Sequence, residues 1–313
     1  MKHCDSGLHV TGQSDYVDDV PSPAGMLHGS FFGSPVAHGI IKSLDTSKAA
    51  QVPGVVSILT YDDIPGDGLI GAVVADEPLL AFEETSFHGQ PIAFVVAQSV
   101  EAARNGAKAC KLEIEELPPI TCPREAFEKG QVLQELRVFE KGSVGDAWKD
   151  CEHIISGSID LGGQEHLYLE TNRSRAIPKE DNQILIYSST QSPSAVQKEV
   201  ASVLGLPMHK IEVDVKRLGG GFGGKEDQAT HWACHAALAS HLLKQPVQVV
   251  LNRADDMRMT GKRHPYKQDF KIGLDATGNI LAYDVFHYQN SGAFMDLSNP
   301  VLERTCLHST NAY

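Results

Sequence analysis

The 313 residues carry a formal charge of −13, with 42% hydrophobic and 21% charged residues. This is ordinary for a globular protein with room for two domains and two cores. The acidic balance argues against nucleic-acid or anionic-membrane partners, which reward clustered Lys and Arg. The longest near-apolar run, Trp232–Leu243, is too short to cross a bilayer and contains His235 and His241.

In chain order, Met26–Phe32 and Ala37–Lys42 read as a strand pair joined by Gly33-Ser-Pro35. Asp45 offers an N-cap for a short helix to Gln51, ended by Pro53-Gly54. Val55–Tyr61 is the next strand. Gln90–Ala97 is a buried-looking strand, and Ser99 caps a helix from Val100 to Cys110 with Glu101 suiting the dipole of its first turn. Lys111–Glu116 alternates as another strand, stopped by Pro118-Pro119. Residues 119–144, proline-bearing and without periodicity, read as a linker.

A second domain is expected from residue 145. Cys151–Asp160 is a strand broken by Gly162-Gly163. Ala176–Lys179 and Gln183–Ser188 form a hairpin, and Ser192-Pro193 opens a helix through Leu204 that Gly205 and Pro207 end. Lys210–Lys216 is a strand, Glu226–Leu243 an alanine-rich helix, and Val247–Leu251 a buried strand. Asp269–Asp275 and Ile280–Tyr288 form a hairpin across Ala276–Asn279. The six cysteines, Cys4, Cys110, Cys122, Cys151, Cys234 and Cys306, are scattered and form no C-x-x-C. Free thiols in a cytoplasmic protein are therefore expected. No signal peptide is read in Met1–Val20, and the chain stops without an obvious terminating element, as a fragment or subunit piece would.

Between the strand ending at Lys216 and the helix opening at Glu226 lies Leu-Gly-Gly-Gly-Phe-Gly-Gly-Lys-Glu, with Phe222 among five glycines. A strand, a glycine loop and a helix N-terminus make a cradle of backbone N–H groups. Gly219-x-Gly221-x-x-Gly224 formally matches the dinucleotide fingerprint, but no acid stands about twenty residues on. Gly219-x4-Gly224-Lys225 imitates a P-loop, but Glu226 occupies the position that needs Ser or Thr for Mg²⁺.

The octapeptide Gly219–Glu226 also resembles the molybdopterin-contacting loop of the xanthine dehydrogenase/aldehyde oxidase family of molybdenum hydroxylases. Gly163-Gln-Glu-His, Gln191-Ser-Pro, Gly261-Lys-Arg-His-Pro265 and Asp296-Leu-Ser298 follow in family order. Gly12–Asp19 through Gly89-Gln-Pro-Ile-Ala93 resembles the family's small hammerhead domain. The resemblance implies an α+β chain: an N-terminal α/β-hammerhead domain over 1–118, a linker over 119–144, and the first, truncated part of a mixed α+β molybdopterin-binding domain over 145–313. It also implies a molybdenum–molybdopterin cofactor, contacted by Gln164, Gly221, Phe222 and Gly223, with Gln164 and the Phe222 main-chain N–H beside the metal's oxygens.

By the same resemblance Glu226 and Arg304 bind substrate. A carboxyl can hydrogen-bond a purine's ring nitrogens and exocyclic groups, and a guanidinium can stabilise charge developing on a purine oxygen. Glu226 also reads as a first-turn carboxylate of the following helix, and Arg304 as an exposed salt bridge with Glu303 or a neighbour. The implied reaction is hydroxylation of purines, hypoxanthine to xanthine to urate, with water as the oxygen source. The alternatives are an aldehyde oxidase-type hydroxylase or a non-catalytic assembly fragment. Electrons would leave through 2Fe–2S clusters to FAD on partner domains or subunits of an oligomer, then to NAD or oxygen. No general base is expected within these residues; the resemblance places it beyond Tyr313.

Overall fold

The computed structural model describes residues 4–310, so the outermost expected boundaries, Met1 and Tyr313, lie outside the described residues. The chain is mixed α+β and clusters into two compact units that are not contiguous in sequence. One unit takes residues 1–118 and 166–261; the other takes 119–165 and 262–313.

The first unit is built on a seven-stranded mixed sheet. From edge to edge it runs Ile211–Asp214, Ile184–Ser188, Arg173–Pro178, Val247–Val250, Leu27–Gly33, Pro91–Ala97 and Val55–Leu59. Every residue of Pro91–Ala97 is buried, as an unbroken apolar run between two neighbouring strands requires. The helix Val100–Ala109 begins as expected, with the Ser99 hydroxyl accepting from Ala102 N at 3.1 Å. It lies so close to the sheet that a Cβ on Gly106 would come within 2.8 Å of Val95. The helix Gln228–Leu243 is buried from Ala229 to Ser240, and its small residues let it lie in the core, where Trp232 and His235 meet Phe31.

Two early expectations fail. Leu27–Gly33 and the following strand Gly39–Asp45 do not pair. The first joins the large sheet, and the second lies between Glu84–Thr85 and Lys111–Glu116 in a separate one. The intervening turn is an internal corner: Ser34 is buried, with its hydroxyl donating to Val36 O at 2.8 Å and meeting the Thr85 hydroxyl at 3.0 Å. Nor does Asp45 cap a helix. Its carboxylate accepts from Ser47 N at 2.9 Å in a local turn, and only Ala49–Gln51 forms a single 3₁₀ turn.

The second unit carries a three-stranded antiparallel sheet, Ile280–Gln289, Tyr266–Leu274 and His153–Leu161. The hairpin turn is tied by Asp275, whose carboxylate accepts from Thr277 and Asn279 and is held well below its ordinary range by those bonds. Five helices escaped the sequence reading: the short Ser6–Val10, Pro123–Glu128 and Val144–Ala147, and the longer Arg253–Met259 in the first unit and Ser298–His308 in the second. No helix among the described residues is long and apolar enough to cross a membrane.

Candidate functional site

The expected strand, glycine loop and helix are all present in the first unit. The strand ends at Asp214 and the helix starts at Gln228, leaving a longer loop than the residue pattern indicates. At its crown, Gly224 N–H donates to Gly221 O at 2.7 Å across Phe222 and Gly223, which have φ of +55° and +89°. Positive φ at both central residues is the geometry of a type I′ turn. Gly223 adopts it freely, whereas Phe222 pays about 1–2 kcal/mol.

The neighbours require the other glycines. A Cβ on Gly219 would lie 2.4 Å from Glu170 Cβ, one on Gly221 2.5 Å from Gln191 Oε1, and one on Gly224 2.6 Å from the His166 ring. At Gly223 a Cβ would meet nothing within 4 Å. The loop is therefore packed along its base and open at its crown.

The base is anchored by a buried polar network. Glu170 Oε2 accepts from Gly219 N and from Ser189 Oγ, both at 2.7 Å. Lys225, fully buried, donates from Nζ to Glu170 O and to Ser189 Oγ, both at 2.6 Å, and lies 4.5 Å from the Tyr168 ring centroid. Burial pushes its pKa from 10.5 down to about 8, opposed by the Glu170 carboxylate 3.5 Å away. Tyr168 in turn donates from its hydroxyl to Asp256 at 2.8 Å, and Asp256 accepts Asn172 N at 2.6 Å. Arg253 donates to the carbonyls of Tyr168 and Leu169. The otherwise unread helix Arg253–Met259 thus supplies two of the anchors.

This network leaves some donors over. Gly219, Gly223, Gly224 and Lys225 spend their N–H groups within the protein, but no acceptor among the described residues meets the N–H of Gly220, Gly221 or Phe222. Three successive donors, on half-buried Gly220, buried Gly221 and 73% exposed Phe222, form a cradle suited to an electron-rich group. Gly221 and Gly223 therefore differ in kind: Gly221 makes room for Gln191, and Gly223 leaves the crown uncovered.

Gln164 stands in the second unit, where its backbone bridges Arg263 antiparallel. Arg263 Nη1 donates to Gln164 Oε1 at 2.7 Å, so the amide oxygen is occupied and its NH₂ remains available to donate. Arg263 belongs to Gly261-Lys-Arg-His-Pro265, a motif read in the sequence without a role. Among the described residues no three His, Cys, Asp or Glu side chains converge as a metal cage. A metal complex would meet this chain through N–H and amide donors, which suits a metal carried by its own organic ligand and bearing oxygen ligands.

Glu226 is exposed on the loop, two residues before the helix, so it is not the first-turn carboxylate the sequence allows. Among the described residues no salt bridge or hydrogen bond engages its side chain. Arg304 is exposed on the helix Ser298–His308 and does not pair with Glu303, whose carboxylate faces Arg137 at 4.0 Å. Gly221, Phe222, Gly223 and Glu226 thus share one loop of the first unit, while Gln164 and Arg304 belong to the second.

Residues 127–313 match the family described as molybdopterin cofactor-binding domain, and residues 11–118 match the aldehyde oxidase and xanthine dehydrogenase a/b hammerhead domain. The chain belongs to the aldehyde oxidase and xanthine dehydrogenase family. It is 39% identical to a xanthine dehydrogenase of Dictyostelium discoideum over its whole length, covering 23% of that protein. Xanthine dehydrogenase 1 of Arabidopsis thaliana is 41% identical over 99% of the chain, again with 23% of the relative covered. The chain therefore spans about a quarter of the length of these relatives.

Among solved structures, the aldehyde oxidoreductase of Desulfovibrio gigas superposes with a TM-score of 0.85 at 25% identity, covering 96% of this chain and 35% of that one. A CO dehydrogenase of Oligotropha carboxidovorans gives 0.82 at 28% identity, over 92% and 39%. Both superpositions support the α+β assignment, and the two family matches support the hammerhead domain at the N-terminus and the molybdopterin-binding domain after it.

Proposed function

We propose that this chain is the molybdenum-cofactor portion of a xanthine dehydrogenase that hydroxylates purines. The observation carrying the reading is the open crown of the glycine loop, with the unspent donors of Gly220, Gly221 and Phe222 in a family of molybdopterin-binding domains. When bound, the molybdenum–pterin group supplies the two-electron oxidation, with water as the oxygen source.

The chain's own residues bind and orient. Phe222 N–H and the Gln164 amide donate to the cofactor's oxygens without adding charge. Gly221 and Gly223 keep the loop narrow enough to approach it. Glu226, free of any ion pair among the described residues, hydrogen-bonds the ring nitrogens and exocyclic groups of a purine. Arg304, equally unspent, stabilises negative charge on a purine oxygen. The general base and the 2Fe–2S and FAD carriers belong to the remainder of the enzyme, on further domains or partner subunits of an oligomer. The proposed setting is purine catabolism in the cytoplasm; the six free cysteines fit a reducing compartment.

The test uses the intact enzyme with its redox carriers. It should retain molybdenum and turn over xanthine or hypoxanthine; absence of molybdenum would sink the enzyme reading in favour of an assembly role. Glu226→Val with Arg304→Met should depress purine turnover while sparing aldehydes. Unchanged purine kinetics would remove both residues from the site.

A further inference from the structure

Gln191 lies between the strand Ile184–Ser188 and the helix Pro193–Leu204, and its side chain is exposed. Its Oε1 accepts two backbone hydrogen bonds from the glycine loop, from Gly223 N at 3.0 Å and from Lys225 N at 3.2 Å. Its own backbone N–H donates to Lys225 O at 2.9 Å. Both groups that meet the side chain are donors, so the atom facing them is the amide oxygen, whose two lone pairs suffice for both.

Resting on the reading above, in which Phe222 N–H serves the cofactor, we propose that Gln191 is a positioning residue. Its side-chain carbonyl grips Gly223 and Lys225 and so holds Phe222 in its left-handed conformation with the N–H presented outward. A non-glycine residue at φ +55° persists only where its surroundings over-determine it. Here two restraints act on the crown: the Gly224 N to Gly221 O bond of the turn itself, and the double grip of Gln191.

The space at Gly221 is matched to that grip, since a Cβ there would sit 2.5 Å from Gln191 Oε1. The buried Glu170–Lys225 network secures the base of the loop, at Gly219 and at the Lys225 side chain, and does not reach Phe222 or Gly223. Gln191 is therefore the side chain that ties the crown to the body of the first unit.

The test compares Gln191→Met, which keeps length but loses the acceptor, with Gln191→Glu, which keeps an acceptor oxygen, in the intact holoenzyme. Three readouts are needed: molybdenum per polypeptide after dialysis, amide exchange of the 218–226 segment, and the thermal midpoint. Gln191→Met should lose molybdenum about tenfold, with exchange at Gly223 and Lys225 accelerated and the midpoint unchanged within about 2 °C. Gln191→Glu should restore retention and protection. Equal retention and equal exchange in wild type and Gln191→Met would overturn the proposal. A midpoint that falls in step with metal loss, with no rescue by Gln191→Glu, would also overturn it, because that marks a merely structural role. If the wild-type enzyme itself holds no molybdenum, the cofactor reading fails. In that event faster exchange in Gln191→Met still upholds the grip on the crown, and unchanged exchange removes it.

Discussion

The two donors proposed for the cofactor sit on very different supports. Phe222 rides on a loop whose base is fastened inside the first unit, where Lys225 is fully buried against Glu170 and Ser189. Gln164 rides on an exposed bridge of the second unit, its amide set by one contact from the exposed Arg263. The first support links site geometry to the stability of the fold, because a buried charge cannot lose its partner cheaply. The second can be altered with little effect on folding, because water replaces what is lost.

The contrast is broken most forcefully at Lys225. Lys225→Met leaves the buried Glu170 carboxylate with only the Arg173 guanidinium, 3.8 Å from its other oxygen, and should cost about 3 kcal/mol, read as a lowered urea midpoint. Adding Glu170→Gln should recover much of that loss; if Lys225→Met alone is neutral, the loop is not fastened through this pair. A smaller effect is expected at Gly224→Ala, whose Cβ would press the His166 ring at 2.6 Å. Ring displacement should cost about 1–3 kcal/mol in the same assay.

The pH dependence of stability isolates the Lys225 charge. Its folded pKa of about 8 lies below the ordinary 10.5, so between these values the unfolded chain binds more protons than the folded one. The burial penalty is fully present below about pH 8 and is relieved as pH rises toward 10.5. Stability relative to Lys225→Met should therefore rise by about 1 kcal/mol from pH 8 to 9. A flat difference would show that the ammonium is not desolvated.

Arg263→Met should do least to the fold, within about 0.5 kcal/mol by urea unfolding. It frees the Gln164 amide to rotate, and purine turnover in the holoenzyme should fall about 10-fold or more. A large loss of stability with unaltered turnover would reverse the assignment of surface support to this residue.

Local chemistry made much of this legible. Ser99 caps its helix, Lys111–Glu116 alternates as an exposed strand should, and Gly205 ends its helix in the left-handed conformation. The glycine loop stood out because five glycines around one phenylalanine have no ordinary role in a core. What stayed hidden depends on distant partners. Ser34 turns inward to meet Thr85, 51 residues away, so a hairpin expected from local turn residues became a corner between sheets. The helix Ser298–His308 was passed over because its Asn, Ser and Pro content reads as loop, yet His264 and Ser298 meet at 2.8 Å and Tyr266 meets Thr305 to dock it on the sheet. Glu170 and Gln191 carried no recognisable signal as members of the loop, which begins about 50 residues after the first and about 30 after the second.

The sequence by itself determined that a strand, a glycine-rich loop and a helix follow one another, because alternation, helix propensity and glycine content act over a few neighbouring residues. It also determined the family, through spaced motifs in a set order. Only the tertiary structure decided why each glycine is there. Gly219, Gly221 and Gly224 yield space to Glu170, Gln191 and His166, while Gly223 serves a turn that leaves the Phe222 N–H uncovered. Those reasons are contacts between segments far apart in the chain, and no local pattern encodes which of five identical residues will meet which neighbour.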